Sequence, residues 1–346
     1  MKIIKSGYRR IYYHLPVMIQ GMVSGNLYRW GIKPTVNKHA RSPFGRAMVI
    51  LSADFEMAWA FRFSKKSASD AEPIGIQERE NVPEIVRQLD KYRIPVTWAT
   101  VGHLFLEGCK KENGMPHSNM PRPDFFENKN WRFQEGDWYQ HDPCSDYKKA
   151  PAWYAPDLVD LIIHAKAGHE IGCHTFSHTD FTYRNCPPSL ALAELKECKK
   201  HAGRKGLKIR SMVFAGGTAG NYETLKKEGF ICYRYNGVYD IDMPSVDRFG
   251  LVAFPSSYCL GEREYNWNAA TCFNVAKSHI VRAIRYKSSC HLWFHPSMSP
   301  WYLKEVFPQV MAYLAELRKT GEIDVFTMGE AAEKIIGFQE EAQGTE

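Results

Sequence analysis

The stretch AMVILSADFE at residues 47–56 is a short apolar run that ends in two acidic residues, and it is the first of a series of apolar runs that decides the fold class. Similar apolar segments recur along the chain, most of them followed by a polar loop or a helical pattern. They are 95–101 (PVTWATV), 169–173 (HEIGC), 211–215 (SMVFA), 230–234 (FICYR), 251–254 (LVAF), 291–295 (HLWFH) and 323–327 (IDVFT). Near-continuous apolar strands that alternate with helices indicate a parallel sheet covered on both faces. The pattern predicts an α/β fold, a distorted (β/α) barrel of seven or eight parallel strands, with a doubly wound open sheet as the alternative.

Helical patterns lie between these segments, over 78–92, 156–168, 188–205, 221–229, 273–286 and 301–320. Residues 107–155 depart from the rhythm, since they are rich in Pro, Asn, Asp and aromatic residues and show little periodicity. A loop of this length in a compact domain is usually functional or disordered, and the aromatic residues argue against disorder. We expect a loop-rich insertion over the barrel mouth. Its rings either form a wall on which sugars stack or pack the insertion's own core.

The composition excludes several classes of protein. Of the 346 residues, 44% are hydrophobic and 24% are charged, which is typical of a soluble globular protein and not of a disordered or collagen-like one. The nine cysteines show no CxxC spacing, which argues against a zinc finger, a redox pair and a complete disulfide framework. Reduced thiols in a cytosolic protein are the simplest interpretation.

The net charge of +7 is concentrated at the N-terminus. Residues 1–46 contain nine Lys and Arg residues and no acidic residue, so subtracting nine from +7 leaves −2 for residues 47–346. We therefore divide the chain into a basic arm (1–46), a barrel domain (47–335) and a C-terminal tail (336–346). The arm could rest on an anionic membrane or pack along the body of the protein.

The rest of the chain shows no basic, aromatic-interleaved groove, so we expect no nucleic-acid partner. The N-terminus lacks the uninterrupted apolar core of a signal peptide. We expect a cytoplasmic location. The arm could in addition hold the protein at the inner face of the membrane. The sequence does not predict an oligomeric state.

Four segments at predicted strand ends carry candidate chemistry. In the first, Asp54 and Glu56 are two residues apart, so in extended backbone they point to the same side. Burial of two carboxylates after an apolar run costs free energy unless a cation or hydrogen bonds compensate their charges. Alternatively, they are acids that cap a strand–helix turn.

The second segment is GHEIGCHTFSH at residues 168–178. His174 and His178 are four residues apart directly after a short apolar strand, so in a helical turn both imidazoles could meet one ion. Two histidines and one carboxylate leave a coordination position open for water, as in catalytic metal sites. Cys173 should face the opposite way, into the core.

The third and fourth segments are HLWFHP (291–296) and SMVFAGGTAG (211–220). His295 ends its strand and could act as a general acid or be a hydrogen-bonded surface residue, whereas His291 begins the strand and is expected to have no role. Gly216 and Gly217 would let backbone N–H groups approach a ligand and serve as an oxyanion donor, or they form a simple turn.

Taken in order, these segments resemble the polysaccharide deacetylase family (NodB-type homology domain, carbohydrate esterase family 4) over roughly residues 47–330. GHEIGCHTFSH is similar to the family's HxxxH metal motif, and IPVTWATVGH (94–103) to its second strand. ADFE (53–56) occupies the place of the acidic first motif, and LWFHP (292–296) that of the final His motif. The D-x-E spacing resembles a branch that includes peptidoglycan-deacetylase-like and allantoinase-like proteins.

The resemblance implies a metal-dependent hydrolase that removes the acetyl group from an N-acetylated sugar or glycan. The expected cofactor is a divalent metal, usually zinc and in some members cobalt or manganese. His174 and His178 would be metal ligands, Glu56 the third ligand, Asp54 the base and His295 the acid, although the roles of the two acids could be reversed. We expect substrate contacts from Trp98, His103, Trp138, Asp142, Gly216 and Gly217.

The chain departs from the family in its third motif, since VFAGGTAG lacks the usual Arg and Pro-Tyr step. This leaves open the oxyanion donor and the residue that tunes the base. The D-x-E branch also contains enzymes that open cyclic amides, so an allantoinase-like hydrolase is one alternative. A non-catalytic glycan-binding protein is the other. The cytoplasmic expectation favours a nucleotide-linked or lipid-linked sugar as substrate.

Overall fold

The fold is organised around strand β1 (Ala47–Phe55), all nine residues of which are buried. The computed structural model describes residues 34–262 and 267–344. On one side, β1 pairs in parallel with β13 (Ser289–Phe294). On its other side, the first half of β1 pairs with β14 (Ile323–Phe326) and the second half with β2 (Thr97–Thr100). Partners on both sides and helices on both faces explain why this strand is almost wholly apolar.

The main sheet contains ten strands within the described residues. Beyond β2 follow β7 (Glu170–Cys173), β8 (Ser211–Val213), β9 (Cys232–Tyr235), β11 (Val252–Pro255) and the antiparallel edge strand β10 (Ser245–Val246). Beyond β13 lies β12 (Tyr258–Leu260). Because β11 pairs with β9 while β12, two residues later, pairs with β13, residues 252–260 connect the two sides of the curled sheet. The predicted fold class, a distorted (β/α) barrel, is confirmed. The predicted number of seven or eight parallel strands is too low, because nine of the ten strands in the described part of this sheet pair in parallel.

The helices surround this sheet. They are α1 (Ala71–Tyr92), α2 (Pro156–Ile163), α3 (Pro188–Arg204), α4 (Tyr222–Lys227), α5 (Ala269–Tyr286), α6 (Pro300–Glu305), α7 (Phe307–Lys319) and α8 (Met328–Gly344). Those at 188–204, 222–227 and 269–286 lie close to the predicted positions, whereas the helix at 71–92 begins seven residues early, that at 156–163 ends five residues early, and that at 328–344 was not predicted. The single helix predicted over 301–320 is wrong, because Pro308 in the first turn of α7 has no N–H to continue α6. Helix α8 runs through the predicted start of the C-terminal tail at residue 336.

The insertion has little regular structure beyond two short hairpins, β3 (Lys111–Glu112) with β4 (Met115–Pro116) and β5 (Phe126–Glu127) with β6 (Arg132–Phe133). Its rings are mostly buried and pack on the segment that follows β1. Trp153 contacts Trp59 edge to face at 5.5 Å between centroids, and Trp138 stacks on Phe63 at 5.0 Å. Of the two expectations for these rings, packing of the insertion's own core is the one that the structure supports.

The end of the basic arm lies against the barrel. The N–H of Asn37 donates to the carbonyl of Ile241 and the N–H of Ser42 to that of Lys287. Residues 1–33, which contain most of the arm's charge, lie outside the described residues, so membrane contact stays a prediction. Among the helices of the described part of the chain, none combines the length and apolar character needed to cross a membrane.

Candidate active site

The two acidic residues at the end of β1, Asp54 within the strand and Glu56 directly after it, open into one cavity at the carboxyl ends of the strands. Asp54 and Glu56 both line this cavity of about 310 Å³, while Phe55 between them is buried on the opposite side. The alternation expected for extended backbone therefore holds. Both acids are almost fully buried, so their charges must be compensated within the protein.

Two imidazoles converge on one oxygen of Glu56. The Nε2 atoms of His174 and His178 lie 3.0 Å and 3.1 Å from Glu56 Oε2. The turn that brings the two rings together is not helical, because Thr175 and His178 adopt left-handed backbone with φ of 61° and 56°. A β-branched residue such as Thr175 pays for this conformation, and backbone strain of this kind clusters at functional sites. The turn is held by the N–H of Thr179, which donates to Thr175 Oγ1 at 2.9 Å.

Arg234 at the third position of β9 binds Asp54 with both ends of its guanidinium. Nη1 donates to Oδ1 at 2.7 Å and Nη2 to Oδ2 at 2.6 Å, and the ring of Trp293 lies 4.5 Å from the guanidinium carbon. Arg234 was not among the residues predicted from the sequence, which left open what tunes the proposed base. The signal was present, since Arg234 is a charged residue that ends the apolar segment FICYR.

A buried serine links Arg234 to His291. Ser52 Oγ accepts from Arg234 Nη1 at 2.8 Å and lies 2.9 Å from His291 Nε2. The serine hydroxyl thus lies within hydrogen-bond distance of both the Arg234 guanidinium and the His291 ring. Burial and the nearby guanidinium both lower the pKa of His291 well below its ordinary value, in agreement with a neutral ring. The expectation that His291 has no role is corrected, because it orients the hydroxyl that supports Arg234.

His295 lies at the end of β13, where it lines the cavity with a partly exposed ring. Its Nε2 lies 3.4 Å from Glu56 Oε1 and 4.0 Å from Asp54 Oδ2. The ring is therefore next to both acids and accessible to a ligand. The structure thus brings His295 together with Asp54 and Glu56, and its role as an acid stays a prediction.

The charges of the two acids are maintained by their neighbours. Burial alone would raise the pKa of Asp54, but Arg234 and His174 outweigh it and lower that pKa below its ordinary value. For Glu56, burial is likewise outweighed, by His295 and by hydrogen bonds from His174 and His178, so its pKa is well below the usual range. Burial lowers the pKa of His178 to about 4, although the contact with Glu56 opposes it. The site thus combines two carboxylates with a neutral imidazole.

The donor set of Glu56, His174 and His178 fits a divalent metal ion, since their ligand atoms lie within 4.8 Å of one another. His174 Nδ1 lies 2.8 Å from the carbonyl of Val213, to which it can only donate. With Nδ1 donating to a carbonyl, Nε2 is the ring nitrogen that would ligate an ion, which is the usual arrangement of a metal-binding histidine. Glu56 and His178 also line the cavity, which leaves an open coordination position on that side.

The predicted substrate contacts divide into two groups. Gly216 and Gly217 line the cavity, and both have positive φ, 56° and 69°, which favours glycine. The other four, Trp98, His103, Trp138 and Asp142, are buried and do not line the cavity. Their burial is inconsistent with direct substrate contact, so the expectation is corrected for these four.

Among the cavity residues that were not predicted as substrate contacts, four have side chains suited to a sugar with an anionic group. Trp131 and Trp293 contribute aromatic surface, and Lys66 and Lys129 contribute positive charge. Of the insertion's rings, Trp131 is the one that reaches this cavity, since it lies 5.3 Å from the His178 ring.

Comparisons with known proteins concern the fold and one segment of this site. Residues 69–218 match the polysaccharide deacetylase family, a range that contains the HxxxH segment but begins after Asp54 and Glu56. A Mycobacterium smegmatis structure, provisionally named as a polysaccharide deacetylase, is 15% identical with a TM-score of 0.59, covering 89% of this chain and 96% of its own. A Pseudomonas aeruginosa structure with the same provisional name is 12% identical with a TM-score of 0.56, covering 84% and 92%. At these identities the structures show the shared fold. No curated protein sequence matches the chain.

Proposed function

Residues 69–218 belong to the polysaccharide deacetylase family, and on that premise we propose that this protein is a metal-dependent hydrolase that removes the N-acetyl group from an N-acetylated sugar or glycan. One observation carries the proposal. Glu56, His174 and His178 converge within one cavity beside the Asp54–Arg234 ion pair and His295. This combination provides a metal site, a base and an acid for hydrolysis of an amide.

In this proposal Glu56, His174 and His178 hold a divalent ion, for which zinc best suits a set of two nitrogens and one oxygen. When bound, such an ion polarises the acetyl carbonyl and lowers the pKa of a bound water. The assignment of Glu56 as ligand and Asp54 as base is supported by their contacts. Glu56 faces both imidazoles, whereas both oxygens of Asp54 are occupied by Arg234.

Asp54 accepts the proton of the attacking water. Its lowered pKa keeps it ionised at neutral pH, and the two hydrogen bonds from Arg234 fix the plane of the carboxylate. His295 delivers a proton to the leaving nitrogen, without which an amide expels its amine very slowly. The partly exposed position of His295 at the cavity allows it to reach that nitrogen.

The cavity suits one sugar residue with an anionic substituent. Trp131 and Trp293 offer rings against which a sugar can pack, and Lys66 and Lys129 would attract a phosphate. We therefore propose a nucleotide-linked or lipid-linked N-acetyl sugar as substrate. A cytoplasmic location, with the basic arm at the inner face of the membrane, is part of the same proposal.

The test is acetate release by the metal-loaded full chain from N-acetylglucosamine oligosaccharides and from nucleotide-linked and lipid-linked sugars. Asp54→Asn and His295→Ala should each lower kcat by about 10²- to 10⁴-fold, because each removes a proton-transfer group. His164→Ala is the matched control, since His164 is an exposed histidine at the end of α2 that contacts its own helix. It should retain the activity of the unmodified chain.

Three results would contradict the proposal. Equal activity in Asp54→Asn, His295→Ala and the control would remove these residues from the chemistry. Opening of a cyclic amide without any acetate release would assign the site to the allantoinase-like alternative. Glycan binding without a bound metal and without turnover would leave a non-catalytic binding protein.

A further inference from the structure

A second group of metal-ligand side chains lies between the insertion and the end of β2, outside the site described above. His103 Nε2, His117 Nε2 and Cys109 Sγ lie 2.9 Å, 3.0 Å and 3.0 Å from one oxygen of Asp142, Oδ2. The two imidazole nitrogens are 3.0 Å apart, and all four ligand atoms lie within 4.8 Å of one another. None of the four residues lines the active-site cavity. We call this group the insertion cluster.

The spacing of these atoms is close to that of ligands around a tetrahedral ion. Ligand bonds of about 2.0–2.3 Å place neighbouring ligand atoms about 3.3–3.8 Å apart. The distances to Asp142 Oδ2 are a few tenths of an ångström shorter, so a small outward movement of each side chain would admit the ion. The insertion cluster therefore has the size of a metal site without a rearrangement of the backbone.

Hydrogen bonds alone account poorly for this arrangement. The other oxygen of Asp142, Oδ1, already accepts from Tyr154 Oη at 2.5 Å and from the N–H of Cys144 at 2.9 Å. Oδ2 then faces three groups at once, two of them imidazole nitrogens 3.0 Å from each other. Three donors at one buried oxygen crowd each other, whereas four lone pairs directed at a cation attract it.

The donor chemistry selects zinc. One thiolate and one carboxylate carry two negative charges, which a divalent ion neutralises, while two neutral imidazoles complete a four-coordinate set. The side chains of His103 and Asp142 are fully buried, that of His117 is 11% exposed, and Cys109 is partly buried. With four protein ligands and little access to solvent, the site is closed, as structural zinc sites are.

We propose that His103, Cys109, His117 and Asp142 bind a structural zinc ion that fixes the insertion to the barrel. His103 follows β2, and its N–H donates at 3.0 Å to the carbonyl of Phe176, within the turn that carries His174 and His178. The other three ligands come from the insertion itself, which has few backbone hydrogen-bonded elements to hold its shape. The ion supplies the cross-link that regular secondary structure does not.

The test uses the full chain with the active-site ligands removed, His174→Ala/His178→Ala, so that a retained zinc reports on the insertion cluster. We expect about one zinc per chain, with one sulfur in its coordination shell at about 2.3 Å by X-ray absorption. Replacement by cobalt should give a thiolate-to-cobalt charge-transfer band. Cys109→Ser should abolish this band, and Cys259→Ser, a partly exposed cysteine on β12, should leave it intact.

A zinc-free His174→Ala/His178→Ala chain, a coordination shell without sulfur, or a band that survives Cys109→Ser would each overturn the proposal. If Cys109→Ser fails to fold, the X-ray absorption of the double variant still decides the matter alone. The result is independent of the proposed function, because neither acetate release nor its failure changes the coordination of this zinc.

Discussion

At the scale of single residues, Arg234 distinguishes this site most clearly, because it holds both oxygens of Asp54 from a strand far along the chain. Arg234→Lys keeps the charge but replaces a planar fork by a single ammonium, which cannot fix the carboxylate plane. We expect kcat for acetate release to fall by about 10²-fold, since misplacement of a reacting group by about 1 Å costs this much. KM should change little. The change is measured by steady-state kinetics.

Arg210→Lys provides the control for this prediction, since Arg210 pairs with Glu333 at the surface. It should leave kcat unchanged. Equal kcat values for Arg234→Lys and the unmodified chain would show that orientation of Asp54 by Arg234 is not needed.

Glu194 on α3 predicts a pH dependence of stability. Burial raises its pKa, and hydrogen bonds from the N–H and hydroxyl of Ser177 oppose this only in part. Because the folded pKa is above the unfolded value of about 4.3, folding binds a proton, and stability falls as the pH rises from that value through the folded pKa. Glu194→Gln removes this loss. The Tm of Glu194→Gln minus the Tm of the unmodified chain should therefore be more positive at about pH 8 than at about pH 5.

Thermal unfolding at both pH values tests this, with Glu316→Gln, an exposed position on α7, as control. A difference in Tm that stays constant between the two pH values would contradict the raised pKa of Glu194.

The residues that could be predicted from the sequence are those whose partners lie nearby in it. Asp54 with Glu56, and His174 with His178, are local patterns, and the structure brings these two pairs together. Arg234 and Cys109 were missed because their partners lie 180 and 33 residues away. Trp98 and Trp138 were assigned to substrate because a sequence shows a large ring but not the burial that removes it from a cavity.

At the scale of elements, Gly75 determines how closely α1 approaches the segment after β1 and the end of the insertion. A Cβ at this position would lie 2.8 Å from the carbonyl oxygen of Ala152 and 2.9 Å from the N–H nitrogen of Ala58. These two backbone groups are hydrogen-bonded to each other, so neither can move freely. Gly75→Ala should lower the free energy of unfolding by about 1–3 kcal/mol, measured by urea denaturation.

Gly337→Ala in α8 is the matched control, because a Cβ there meets nothing within 4 Å. It should raise the free energy of unfolding by about 0.5–1 kcal/mol, the usual gain of alanine in a helix. The same sign of change in both variants would show that space around Gly75 is not limiting.

The order of strands and helices could be predicted because apolar runs and helical periodicity are local signals. The break between α6 and α7 was also readable from Pro308, but the surrounding periodicity continues across it. The structure of the insertion could not be predicted, because the insertion cluster and the packing of the aromatic rings join residues that have no periodic spacing in the sequence. Tertiary contacts determine its shape, and local preference contributes little.

At the scale of the whole molecule, β1 joins the two ends of the domain, since its neighbours come from residues 97–100, 289–294 and 323–326. Leu51→Ala should therefore destabilise the domain as one unit, by about 2–5 kcal/mol for a buried leucine. Unfolding followed by circular dichroism and by tryptophan fluorescence should give coincident curves. Leu161→Ala, at a partly exposed position on α2, should cost no more than about 0.5 kcal/mol. Two separated transitions would contradict a single unit.

The segment from Asp54 to Phe63 has a consequence for chimeric proteins. Its first residues form the proposed active site, and its last residues are buried in the insertion. Arg62 ties these parts together, since it donates to the carbonyl of Ser177 at 2.6 Å and lies 4.7 Å and 4.4 Å from the rings of Trp59 and Trp138. The insertion is therefore no exchangeable module. A graft that replaces residues 107–155 alone should disturb Glu56. Specificity can be transferred to another protein only when residues 54–63 are grafted together with the insertion.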